Sequence, residues 1–219
     1  MAIYFTPIAR RLGLVSAAST AVLLVAYAVT LALGFLSLES PDQPIGDPLL
    51  SILEILIILT MPTMVALMVA VHAWAPTRVK ALSLTAVIFM GLLAGVTCGV
   101  HFVVLTMGHQ TAFAGQSWLS PFLGWKWPSV AYALDILGWD VFFPLSMLFA
   151  APVFRGSRLE AWIRWLMIVS AVLALAGLSG VAFGNMQLRN IGIVGYVGVF
   201  FVVVVMLTVM FYRAAPREA

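Results

Sequence analysis

Long apolar runs separated by short polar breaks dominate the pattern along this chain of 219 residues. An α-helix needs about 20 apolar residues to cross the hydrocarbon core of a bilayer. Six runs reach that length, and the breaks between them contain the proline, glycine and polar residues typical of loops. The pattern therefore predicts six transmembrane helices, near residues 13–37, 49–74, 82–107, 129–151, 162–183 and 191–212.

The composition supports a membrane protein rather than a soluble one. Hydrophobic residues make up 63% of the chain and charged residues 9%, whereas a soluble domain carries about 25% charged residues. We predict an all-α, polytopic helical bundle in which residues 1–219 form a single transmembrane domain. The first run is too long for the apolar part of a signal peptide, so we expect it to be a retained span. The single cysteine, Cys98, excludes an internal disulfide and a multi-thiolate metal site.

Basic residues are concentrated on one side of the predicted helices, at the helix ends. Of the 11 lysines and arginines, only Lys126 and Arg189 fall on the opposite side. The positive-inside rule then predicts that both termini are cytoplasmic, and we expect a cell (plasma or inner) membrane location. No basic patch suggests nucleic-acid binding. The remaining basic residues are Arg10, Arg11, Arg78, Lys80, Arg155, Arg158, Arg164, Arg213 and Arg217.

Three carboxylates, Glu54, Asp135 and Asp140, lie inside the predicted spans, on the same side of the predicted bundle as His101. Placing such a group in hydrocarbon costs a few kcal/mol, so it is rare without a function or a partner. At about 1.5 Å of rise per residue, Glu54, His101 and Asp135 share one depth in the extracytoplasmic leaflet, roughly 8–9 Å below the helix ends. Asp140 is deeper, and lies about 140° around the helix from Asp135, so we expect the two aspartates to meet different partners. Arg189 lies on the same side and is expected to neutralise one of the acids.

This arrangement predicts an intramembrane pocket that performs acid–base chemistry. A carboxyl group that keeps its proton in an apolar environment can act as a general acid. Our first hypothesis is an enzyme for a lipid or isoprenoid substrate, an isomerase or cyclase. Glu54 or Asp135 would be the general acid, His101 its relay partner and Asp140 a second acid, and no cofactor is predicted.

Four further residues are predicted to bind the apolar substrate. Tyr132 and Trp139 share a helix face with Asp135 and could stabilise positive charge by cation–π contact. Met61 lies on the helix stripe that carries Glu54. Trp118 belongs to the tryptophan-rich segment 108–128, which we expect either at headgroup level or closed over the pocket as a lid.

Two other functions remain open. One is a small proton-coupled carrier, although the two halves of the chain do not match as repeats: helix 2 contains Glu54 and Pro62, and helix 5 has neither acid nor proline. The other is a non-catalytic membrane subunit or scaffold. Small residues at helical spacing predict close helix contacts and a possible homo-oligomer. They are Gly91, Gly95 and Gly99 in helix 3, Ser170, Ala174 and Gly177 in helix 5, and Gly192, Gly195 and Gly198 in helix 6.

A metal site is a weaker alternative. Glu54, His101, His109 and Asp135 could form a mixed carboxylate–imidazole ligand set, but no motif spacing supports it. His72 lies at the opposite end of helix 2 and cannot join His101 as a ligand. We also expect Pro62 and Pro144 to interrupt helices 2 and 4, because proline removes one backbone hydrogen bond.

Overall fold

The computed structural model describes residues 5–40, 43–108, 110–113 and 115–215, and every regular element in these ranges is helical. Six helices are long and apolar enough to cross a membrane, which confirms the predicted all-helical class and the number of candidate spans. They are α1 (Pro7–Leu36), α2 (Leu49–Trp74), α3 (Thr77–Met107), α4 (Val130–Val153), α5 (Arg158–Ala182) and α6 (Met186–Arg213).

Several helices begin earlier than the apolar pattern predicts. α1 starts at Pro7 rather than near residue 13, and α5 starts at Arg158 rather than near residue 162. The hydroxyl of Thr6 accepts a hydrogen bond from the Ala9 N–H, and that of Ser157 accepts one from Glu160. These side chains cap polar first turns, which hydropathy alone does not mark as helical.

Consecutive helices pack side by side, and α6 returns to pack against α1. The most apolar 18-residue stretch of α1 is 17% buried and that of α4 is 61% buried, so α4 is the central helix and α1 lies at the periphery. Large apolar side chains fill the interior. They include Met61, Met64, Met68, Met90, Met147, Phe143, Phe200 and Phe211.

Pro62 does not interrupt α2, and that prediction is wrong. The ring nitrogen cannot donate to the carbonyl of Ile58, four residues earlier. The Cys98 thiol of α3 donates to that carbonyl instead, at 3.8 Å. A side chain on the neighbouring helix thus supplies the missing hydrogen bond, and α2 continues unbroken from Leu49 to Trp74.

Pro144 has a larger effect, because α4 widens just before it. Residues Leu137–Phe142 form a π-helical turn, in which the Phe143 N–H donates to the Gly138 carbonyl five residues earlier. A π turn inserts one extra residue into the helix and changes which side chains share a face. A second π turn, Val194–Val199, lies in α6.

The predicted small-residue faces behave differently. Gly177 of α5 and Gly192 of α6 contact each other: a Cβ on Gly177 would lie 3.1 Å from the Gly192 Cα. The ridge of α3 has no such partner. A Cβ at Gly91, Gly95 or Gly99 would meet no atom within 4 Å in the described part of the chain. The α5–α6 contact is therefore confirmed, whereas the α3 ridge packs against none of the described helices.

Candidate functional site

Five ionisable side chains from four helices meet at one end of the bundle. Glu54 follows the start of α2, His101 precedes the end of α3, Asp135 and Asp140 lie in the first half of α4, and Arg189 lies in the first turn of α6. Because neighbouring helices run in opposite directions, these positions fall at the same end. We call these five residues the ionic cluster, and the predicted convergence of Glu54, His101 and Asp135 is confirmed by their contacts.

Glu54 and His101 form one part of the cluster. The His101 Nδ1–H donates to Glu54 Oε2 at 2.5 Å, and the Trp125 indole N–H donates to Glu54 Oε1 at 2.7 Å. The Trp125 ring also stacks on the imidazole, with the two ring centroids 4.8 Å apart. Glu54 and His101 are only 2% and 6% exposed. Both carboxylate oxygens of Glu54 therefore have donors, and a loop residue covers the pair.

The loop between α3 and α4 holds Trp125 in this position. Its short helix, Leu119–Leu123, is followed by Gly124, whose carbonyl accepts a hydrogen bond from the Ser129 hydroxyl. The same hydroxyl accepts from the Tyr132 N–H and so caps the first turn of α4. The residue that caps α4 thus also holds the backbone next to Trp125.

Arg189 bridges the two aspartates of α4. Its Nε donates to Asp140 Oδ2 at 3.0 Å, and its terminal Nη2 donates to Asp135 Oδ2 at 2.7 Å. Its guanidinium carbon lies 4.6 Å from the centroid of the Tyr132 ring, within cation–π distance. Arg189 is 4% exposed. The planar fork of the guanidinium allows one side chain to hold two separate carboxylates.

The prediction that Asp135 and Asp140 meet different partners is wrong. It assumed a regular α-helix, in which residues five apart differ by about 140° around the axis. The π turn Leu137–Phe142 begins after Asp135 and contains Asp140, and it adds one residue to the helix turn that separates them. Residues five apart then take up nearly the relation of i and i+4, so both aspartates face Arg189.

Two cluster atoms lack hydrogen-bond partners among the described residues. His101 Nε2 lies 3.8 Å from Asp135 Oδ1, which is too long for a hydrogen bond. Asp140 Oδ1 is fully buried against the two glycines of the α5–α6 contact. A Cβ on Gly177 or Gly192 would come within 2.5 or 2.6 Å of that oxygen. Unpaired buried polar atoms are costly, so their concentration here distinguishes the cluster from ordinary packing.

The charges of the ionic cluster do not balance. It contains three carboxylates, one guanidinium and one imidazole. With all carboxylates ionised, the sum is −1 when His101 is protonated and −2 when it is neutral. Uncompensated negative charge in a buried site favours uptake of a proton or a cation.

The other predicted substrate-binding residues lie in different surroundings. Trp139 is buried and packs against Tyr196 and Phe143, with ring centroids 5.1 and 5.8 Å away. Met61 is fully buried in the apolar core. Trp118 is 37% exposed and contacts Phe113 and Phe122. Trp125, rather than Trp118, is the loop tryptophan that contacts an acid of the cluster. The segment contains several tryptophans, and its sequence did not show which of them makes this contact.

Two apolar hollows lie beside α1, and no residue of the ionic cluster lines either one. The first, of about 400 Å³, lies between α1 and α6, and the second, of about 530 Å³, between α1 and α2. The first is lined by Leu24, Val25, Ala28, Val29, Ala32, Val197, Gly198 and Phe201. The second is lined by Ala18, Ser19, Val22, Leu23, Leu59 and Thr63.

The described residues contain no group of three histidine, cysteine or acidic side chains placed to hold a metal ion. His109, a member of the mixed ligand set considered from the sequence, lies outside the described residues. His72 pairs with Ser83 near the other end of α2 and takes no part in the cluster. Comparison of the chain with protein-family models, curated proteins and solved structures finds no match.

Proposed function

We propose that this multi-pass membrane protein binds and releases protons at the ionic cluster and acts as a small proton-coupled carrier. The observation that supports this function is a chain of buried contacts in which acidic and basic side chains alternate. The chain crosses four helices, has one gap at His101 Nε2, and runs in the order Glu54, His101, Asp135, Arg189 and Asp140. Ionisable residues of this kind inside spans are characteristic of proton relays and ion pathways.

The structure favours proton binding over direct attack on a substrate. Both oxygens of Glu54 already have donors, and the two apolar hollows lie away from the carboxylates. A proton needs no cavity, and the cluster has negative charge to receive it. The positive-inside prediction places this end on the extracytoplasmic side, so we expect protons to reach the cluster from that side.

Proton movement into vesicles tests the proposal. The purified protein would be reconstituted with a pH-sensitive dye inside, and gradients of amino acids, sugars, organic cations and organic acids applied in turn. We expect at least one class to accelerate proton movement, and Glu54→Gln to abolish that acceleration. Glu39→Gln is the matched control, because Glu39 is an exposed acid in the α1–α2 loop. Equal proton movement in the Glu54→Gln variant would contradict the proposal, as would rates in every gradient no higher than those of empty vesicles.

A second function, acid–base chemistry on a lipid or isoprenoid, is supported by a different observation. The hollow between α1 and α6 is lined by apolar residues and lies in the same half of the bundle as the cluster. Its volume of about 400 Å³ suits an apolar chain. Mass spectrometry of lipids from membranes with and without the protein tests this function. A lipid conversion that Asp135→Asn abolishes would support the enzyme over the carrier.

A further inference from the structure

The seam between α3 and α4, beneath the loop that joins them, has its own small apolar cluster. Val100 and Val104 of α3 pack against Ala131 of α4, with Leu123 and Trp125 of the loop partly buried over them. This set is separate from the main core. So few side chains bury little apolar area and stabilise the seam only slightly. One additional polar contact therefore adds a large fraction of the free energy that holds the seam together.

His101 lies at this seam with one of its two nitrogens already used. Its Nδ1–H donates to Glu54, and Nε2 points toward Asp135 Oδ1 across 3.8 Å. In the neutral tautomer that this hydrogen bond selects, Nε2 carries a lone pair that faces a carboxylate oxygen, and the two repel each other. A proton on Nε2 makes it a donor, and charge-assisted hydrogen bonds of this type are about 2.7–2.9 Å long. Protonation would therefore draw the two atoms together by about 1 Å.

The groups around His101 are arranged so that its Nε2 can approach Asp135 Oδ1 without breaking an existing hydrogen bond. Glu54 of α2 and Asp135 of α4 face the imidazole, and Trp125 of the loop covers it. Arg189 of α6 holds the other oxygen of Asp135, Oδ2, and thereby leaves Oδ1 turned toward His101. Behind these, Asp140 is held by Arg189.

We propose that the ionic cluster is a proton-operated clamp: a proton bound at His101 Nε2 joins α3 to α4 through Asp135 and tightens the packing of the α3–α4 loop, which Trp125 already holds over the site. The proton comes from the aqueous phase, and its release restores the gap of 3.8 Å between His101 and Asp135 and weakens the packing of the short helix Leu119–Leu123 on the seam. This inference rests on the proposed function, and it identifies the part of the molecule that moves when the cluster gains or loses a proton.

Cysteine accessibility tests the clamp in the full-length protein. In a Cys98→Ser background, Leu123→Cys reports on the seam, because Leu123 is partly buried against it. Ser120→Cys is the matched control, because Ser120 is exposed in the same short helix. Both would be labelled with a water-soluble methanethiosulfonate reagent at steps between about pH 5 and about pH 10, a range that includes and extends above the pH at which histidine ordinarily changes charge. The labelling rate of Leu123→Cys is divided by that of Ser120→Cys, and this ratio removes the effect of pH on the reagent and on the thiol.

We expect this ratio to be roughly tenfold lower at the acidic end of this range, the scale of one charge-assisted hydrogen bond. Asp135→Asn removes the acceptor charge while keeping the shape, and His101→Gln removes the titrating group, so either substitution should make the ratio independent of pH. A pH-independent ratio in the parent protein would overturn the clamp, as would a pH dependence that persists in either variant. The proposed function is tested separately through Glu54→Gln. A labelling result that overturns the clamp, together with proton coupling that depends on Glu54, would therefore still support the carrier.

Discussion

Replacing Arg189 by glutamine removes the cation that pairs with two buried carboxylates at once. In the native protein the guanidinium donates to Asp135 and Asp140 through separate nitrogens, at 2.7 and 3.0 Å. The side chains of Asp140 and Asp135 are 0% and 15% exposed, so water cannot replace the lost donors at Asp140 and replaces them poorly at Asp135. Breaking a buried ion pair by removing one partner costs about 3–5 kcal/mol, because it leaves an uncompensated charge.

We therefore expect Arg189→Gln to lower the free energy of unfolding near neutral pH by about 3–5 kcal/mol. The loss should shrink as the pH falls, because a protonated carboxyl group needs no cationic partner. Arg189→Lys should lose less, since it keeps the charge but not the planar fork that reaches both acids. A triple variant with Asp135→Asn and Asp140→Asn added to Arg189→Gln should recover to within about 1 kcal/mol of the native value, because no buried charge is left unpaired.

Unfolding in mixed micelles, titrated with a denaturing detergent, measures these differences. Arg155→Gln serves as the control, because Arg155 is exposed in the α4–α5 loop. Equal stability of Arg189→Gln and Arg155→Gln would refute the stabilising role of Arg189. A triple variant less stable than Arg189→Gln alone would refute it too, since the penalty would then not come from unpaired carboxylates.

Other substitutions have equally definite expectations, each measured as a free energy of unfolding in mixed micelles unless stated. Gly177→Ala should destabilise by about 1–3 kcal/mol, because its Cβ would lie 2.5 Å from a fully buried carboxylate oxygen. Gly95→Ala should be neutral or stabilise by about 0.5–1 kcal/mol, because its Cβ meets no described atom within 4 Å; the reverse order of the two would contradict the glycine contacts. Trp125→Phe keeps a ring over the imidazole but loses the donor to Glu54 at 2.7 Å, so we expect a loss of about 1.5–3 kcal/mol. Ser157→Ala should cost about 1 kcal/mol through the lost cap of α5, with circular dichroism retaining all six helices.

The sequence determined the helices and the level of the acids, because both depend on local features. A run of apolar residues long enough to span hydrocarbon is a helix wherever it is placed, and the rise per residue then sets the depth of each side chain. Glu54, His101 and Asp135 could be assigned to one depth for this reason, and the structure brings them together. Arg189 was expected on the same side, although not as the partner of two acids.

Tertiary structure alone decided which partners these residues have. A single π turn rotated Asp140 onto the face of Asp135, and hydropathy carries no signal of the extra residue in that turn. The sequence did not single out Trp125 among the tryptophans of its loop, whereas the fold places its N–H against Glu54. The Ile58 carbonyl, which Pro62 leaves without a backbone donor, accepts from the Cys98 thiol of α3. The helix that was expected to be broken is therefore continuous. In each case the hydrogen-bond partner lies on another helix, and only the packing of the bundle brings that partner within reach.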